Sequence, residues 1–184
     1  MIQLTGLDGT EDRQYIFFSA RRLEGFSVDN FHWMPTAKEL GCRAYFLRDT
    51  GNQFYLRNSR PIIRLLRGVV RPFKGETIFV GSSMGAYAAI YYGLHCGADK
   101  VIAFTPAPPP SDKLPNILKK SKLLPEIEIH VGGKSKWKLT NELNDVQNAL
   151  TFKDYATIIK HDTDMHNVAG HLRKTGELRG IISD

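Results

Sequence analysis

The sequence predicts an α/β fold: a three-layer α/β/α sandwich on a mostly parallel sheet of about six strands. Three observations carry this reading. Short β-branched or aromatic runs alternate along the chain with segments of helical periodicity. Most of those runs are continuously apolar, as in strands covered on both faces. The chain of 184 residues, 42% hydrophobic and 24% charged, suits one domain, 1–184, around a single core.

The strand-like runs are 14–19, 42–47, 77–80, 100–104, 126–131 and 156–159. Helical stretches lie between them. Residues 61–71 carry Ile62, Leu65, Leu66 and Val69 at helical spacing, with arginines on the other side. Residues 84–96 are rich in Ala, Tyr and Leu and close at Gly97. A short helix is expected over 146–152. The last helical material runs over 167–174, where Gly176 breaks it before 178–182. Residues 107–125 stand apart, with Pro108, Pro109, Pro110, Pro115 and Pro125 beside Lys119, Lys120 and Lys122. This stretch is too short for a domain and reads as a surface excursion or a small cap. No repeat or internal linker is visible.

Composition narrows the classes of function. The N-terminal residues lack a basic start and reach Gly6 and Asp8 without an apolar run, so no signal peptide is expected. No stretch approaches the roughly 20 apolar residues of a membrane span, and no membrane partner is expected. Cys42 and Cys96 lie in apolar contexts without metal-like or redox-like spacing. They read as buried free thiols in a reducing compartment, which makes the cytoplasm the expected location. The net charge is +6. Its local concentrations are Arg21-Arg22, Lys119-Lys120 with Lys122, and Lys134, Lys136 and Lys138. These read as solvated loops, with an anionic substrate or polymer as the alternative, and no nucleic acid is expected.

The chemistry concentrates in Gly81-Ser82-Ser83-Met84-Gly85, which follows the run 77–80 and opens the helix 84–96. A serine on a sharp strand-to-helix turn is pushed out above the sheet, and the flanking glycines remove side chains that would collide across the turn. At the helix N-terminus, free amides and the helix dipole favour developing negative charge. Ser83, central between the glycines, is the candidate nucleophile rather than Ser82. Helix capping by either serine is the structural alternative.

A hydroxyl needs a base. Of six histidines, His32 precedes the serine, His95 lies about three turns along the elbow helix, and His130 sits inside a strand. His166, in the loop after the last strand, is placed to descend onto the C-terminal edge of the sheet. His161 and His171 are the alternatives. The acid is expected after the run 126–131, but the loop Gly132-Gly133-Lys134-Ser135-Lys136-Trp137-Lys138 has no carboxylate. The first acids beyond it are Glu142 and Asp145. Asp145 precedes a short helix and could serve as cap, triad acid or both. Asp162, Asp164 and Asp112 stay open, as does a Ser–His pair without a carboxylate. Oxyanion donors are expected from the Met84 amide and, in the loop 19–25, from Ala20 or Arg21.

With its elbow, with His166-Asn167-Val168-Ala169 leading into 172–178, and with Asp145-Val146-Gln147-Asn148-Ala149-Leu150, the chain resembles a compact member of the α/β-hydrolase superfamily. The resemblance covers nearly all of it, from Tyr15-Ile16-Phe17-Phe18-Ser19 onward, and is similar to small bacterial and phage-type hydrolases. It implies a minimal α/β-hydrolase fold and Ser83, Asp145 and His166 as a triad. It also implies ester-type chemistry but no particular substrate. With little chain left for a lid, an open, shallow site for a small-molecule or polymer-borne acyl ester is expected, and acyl transfer through Ser83 calls for no metal or cofactor. The glycine run of lipase oxyanion loops is missing. An acyltransferase using the same residues and an inactive binding protein on the same fold are the rival expectations.

Overall fold

The computed structural model describes residues 1–21, 31–57, 59–109, 113–138 and 143–184. Among these residues seven strands form one sheet: β1 (Ile2–Leu7), β2 (Thr10–Phe18), β3 (Cys42–Asp49), β4 (Glu76–Ser82), β5 (Lys100–Phe104), β6 (Glu126–Gly132) and β7 (Thr157–His161). Their order is β1-β3-β2-β4-β5-β6-β7. All neighbours run parallel except β1, which pairs antiparallel with β3 from Ile2 opposite Asp49 to Leu7 opposite Ala44. This edge strand is the addition to the six runs expected. It pairs on one side only, Leu4 is 40% exposed, and it has no continuous apolar run to announce it.

Alternate side chains of the central strands point to opposite faces and build two cores. Ile16, Phe18 and Phe79 join one core; Tyr15, Phe17, Ile78 and Val80 join the other. The first is covered by α2 (Ser59–Val70), α3 (Met84–Cys96), α4 (Leu114–Lys120) and α5 (Asp145–Leu150). The second is covered by α1 (Met34–Leu40), α6 (Val168–Thr175) and α7 (Leu178–Ser183). Helix α2 uses one stripe, Ile62, Leu66 and Val70. Helix α3 is apolar nearly all round and correspondingly central.

Helices α1 and α4 lie outside the expected set, and both carry a proline in the first turn. A proline there gives up no intrahelical hydrogen bond, because the first amides have no helical acceptor. The Pro-rich, Lys-rich stretch therefore holds a helix, with Leu114 and Leu118 fully buried in the core. Pro110, Ser111 and Asp112 lie outside the described residues. Cys42 and Cys96 are buried and unbridged, and burial pushes their thiols up, to about 11 and about 12. No helix among the described residues is long and apolar enough to cross a membrane.

His130 on β6 is 2% exposed, packs its ring at a tilt against Phe104, and shares a 2.9 Å hydrogen bond between its Nδ1 and His161 Nε2. Burial, helped by His161 and Lys100, pushes its pKa down to about 3. The nearby Glu128 carboxylate is itself engaged by Lys100 at 3.0 Å. The unfolded chain takes up a proton here below about pH 6.5, whereas the folded ring refuses it until about pH 3. Stability is therefore lost as pH falls through that window, by about 2 kcal/mol from this ring between pH 7 and 5. In denaturant titrations at the two pH values, His130→Phe should flatten that dependence by a similar amount.

Candidate active site

The site forms where the C-terminal ends of β4, β5, β6 and β7 meet. Ser83 has φ 53° and ψ −119°, a region costly for a residue with a Cβ, held from both sides. Its amide donates to the Phe104 carbonyl at 2.8 Å, and its carbonyl accepts from the amides of Ala86 and Ala107 at 3.0 and 3.1 Å. The glycines make the turn sterically feasible. A Cβ at Gly81 would lie 2.1 Å from the Gly85 carbonyl oxygen, and one at Gly85 would lie 2.3 Å from that of Phe18. The elbow is thus pressed against the end of β2. Ser83 makes no side-chain cap bond to its helix, so its hydroxyl is not spent on capping.

That hydroxyl lies 3.1 Å from His166 Nε2, and His166 Nδ1 lies 2.8 Å from Asp145 Oδ1. A carboxylate only accepts, so Nδ1 carries the proton and Nε2 is left to accept from the serine. Asp145, 1% exposed, is the first residue of α5; the cap is its neighbour Asn144, which forms a capping box with Gln147. The cap role that the sequence left open on Asp145 thus belongs to Asn144. Its second oxygen, Oδ2, accepts from the Ser135 hydroxyl.

Two positioning contacts had no sequence signal of their own. Thr105, at φ 46° directly after β5, donates its hydroxyl to the His166 carbonyl at 2.8 Å. Its amide donates to the His130 carbonyl. The loop after β6 is zipped to the loop after β7: the Gly133 amide donates to the His161 carbonyl at 2.8 Å, and that of Lys134 to Thr163 at 3.1 Å. A Cβ at Gly132 would stand 2.8 Å from the Met165 carbonyl oxygen. This close approach brings Ser135 to Asp145 and lays Trp137 on His166, with ring centroids 5.6 Å apart and planes 24° off parallel. Trp137 is 60% exposed, so its outer face is open beside the site.

The remaining candidates fall elsewhere. Asp162 is on the surface, paired with Lys134, and Asp164 is exposed. Asp112 and Glu142 lie outside the described residues. His161 is bound to His130, and His171 lies within α6. The amides of Met84, Ala20 and Arg21 make no hydrogen bond to another described residue. Ala20 follows the strand end that Gly85 abuts, and Tyr55 fixes that end by donating its hydroxyl to the Ser19 carbonyl at 2.9 Å. Arg21 is exposed, and Arg22 to Gly25 lie outside the described residues.

No protein-family model matches the chain, and neither does any curated protein. Solved structures do. The capsule O-acetyltransferase of Neisseria meningitidis serogroup A superposes with a TM-score of 0.74 at 17% identity, over 100% of this chain and 91% of that one. An α/β serine hydrolase homologue from Coxiella burnetii matches at 0.65 and 18%, over 97% and 88%. An α/β serine hydrolase without lid from Xanthomonas campestris matches at 0.60 and 18%, over 97% and 84%. With its parallel sheet, antiparallel first strand and glycine-flanked turn after β4, the chain has the fold of the α/β-hydrolase superfamily.

Proposed function

We propose that the protein is a serine hydrolase that cleaves an ester through an acyl-enzyme on Ser83. One observation carries this reading: a strained, outward-held serine is 3.1 Å from the imidazole of His166, whose other nitrogen is 2.8 Å from the buried Asp145. His166 takes the Ser83 proton as Oγ attacks the carbonyl carbon, then gives it to the leaving alcohol as the ester C–O bond breaks. Water, deprotonated by the same ring, releases the acid and restores the serine. The Met84 amide and that of Ala20 or Arg21 receive the oxyanion. Asp145 holds the tautomer and stabilises the imidazolium, and Ser135 holds Asp145.

Trp137 gives this site a wall. It restricts the imidazole on one face and offers the other to the substrate. Trp137→Ala should lower kcat/KM about tenfold for esters with a cyclic alcohol portion, and much less for methyl acetate. Steady-state kinetics on the two substrates read the difference.

A second reading, acyl transfer, uses the same residues with an alcohol replacing water. The superposition on an O-acetyltransferase over the whole chain favours keeping it. The test is turnover of p-nitrophenyl acetate with and without an added polyol. Acetate as the sole product supports hydrolysis, and acetylated polyol in excess of acetate supports transfer. Lack of turnover in either case contradicts both.

A further inference from the structure

The net charge of the chain is concentrated in one segment. Residues 51–75 hold Arg57, Arg60, Arg64, Arg67, Arg71 and Lys74 and no acid, whereas the other 159 residues balance 19 cations against 19 carboxylates. Arg60, Arg64 and Arg67 lie on α2, and Arg71 directly follows it. At 3.6 residues per turn the four fall within an arc of about 60°, and at 1.5 Å per residue they span about 16 Å. All four are exposed and, with Ile63, Gly68 and Pro72, line a shallow groove of about 730 Å³. None is ion-paired with a carboxylate among the described residues. Like charges at i and i+4 without interleaved acids destabilise a helix. The core stripe Ile62, Leu66 and Val70 holds α2 in place despite this.

We propose that this row binds a linear acidic polysaccharide, with the guanidinium groups engaging successive carboxylates or sulfates along the chain. Guanidinium forks suit planar or tetrahedral oxyanions bidentately, and a straight row about 16 Å long fits an extended polymer. The groove has no aromatic side chain on which bases could stack, as single-stranded nucleic acid binding uses. The apolar stripe of α2 is spent in the core, so the helix has no apolar face to sink into a bilayer. The site is separate from Ser83, and its occupancy does not depend on the proposed reaction.

The test is anisotropy of a fluorescent heparin dodecasaccharide titrated with the full chain from 20 to 300 mM NaCl. Binding is expected, with log K falling against log salt at a slope of roughly −3, as four contacts imply at about 0.7 ions each. The triple variant Arg60→Gln, Arg64→Gln, Arg71→Gln should bind at least tenfold more weakly, with a slope near −1. Its melting temperature should equal or slightly exceed that of the wild type, as removal of like-charge pairs implies, and its p-nitrophenyl acetate turnover should match. Arg67 is spared because its Nε donates to the His95 carbonyl at 2.9 Å. Absence of wild-type binding at 20 mM salt, or undiminished binding by the folded variant, would overturn the proposal. So would tighter binding to an oligothymidylate of equal charge or to phosphatidylserine vesicles.

Discussion

Changing His166 to alanine is expected to lower kcat on a short p-nitrophenyl ester by about four to six orders of magnitude, with little change in KM. The reason is that, among the described residues, no other base hydrogen-bonds the Ser83 hydroxyl. His161 is engaged by His130, and Trp137, the other ring beside the site, has no basic nitrogen. Asp145→Asn is expected to cost about 10⁴-fold, because an amide in that place can donate to Nδ1 and leave the ring proton on Nε2, facing the serine. The two losses should not add. With His166 already gone, Asp145→Asn should change the residual rate by less than about threefold, since Asp145 acts only through the imidazole. Steady-state kinetics on the single and double variants measure this coupling. Ser135→Ala should fall between wild type and Asp145→Asn, and its effect should vanish in the Asp145→Asn background.

The second large effect is on folding. Gly81→Ala places a methyl group 2.1 Å from the Gly85 carbonyl oxygen, a backbone atom that cannot swing away. Either β4 or the start of α3 must shift, and β4 is paired on both sides, with β2 and β5. A destabilisation of about 3 kcal/mol or more is expected, which for a chain of this size lowers Tm by about 6–12 °C. Activity should fall with it even below the new Tm, because the shift moves Ser83 relative to His166. By contrast Gly68→Ala, with open space around the added methyl, should leave activity unchanged and raise stability by about 0.5–1 kcal/mol. Thermal unfolding followed by circular dichroism separates the two.

What could be read in advance depended on how local each constraint is. The turn around Ser83 is written in five consecutive residues, because a strained serine needs its glycines adjacent to it. The central strands were visible because both faces are buried and their sequences are continuously apolar. The edge strand β1 was not, having only one partner. Helices α1 and α4 were hidden by prolines that look like breakers and are harmless in a first turn. The placement of Asp145 rests on tertiary pairing: Gly132, Gly133 and Lys134 lie against 161–165, beside the site where Asp145 meets His166. No periodicity reports such a contact, so the sequence leaves four acids open. Ser135, Trp137 and Thr105 lie in the same category, each acting through a residue distant in sequence. The arginines opposite the apolar stripe of 61–71 are legible as one side of a helix, but they do not stand out as a charge concentration in the sequence, because they are spread over 60–71 and line up only once the helix forms.

The central claim is that Ser83 is an activated nucleophile. It is tested most directly by treating the folded protein with a fluorophosphonate and reading the adduct by intact mass and peptide mapping. A single phosphonyl group on Ser83, absent in Ser83→Ala and strongly slowed in His166→Ala, is the predicted result. An intact, folded protein that takes no label, or takes it on another residue, would contradict the account.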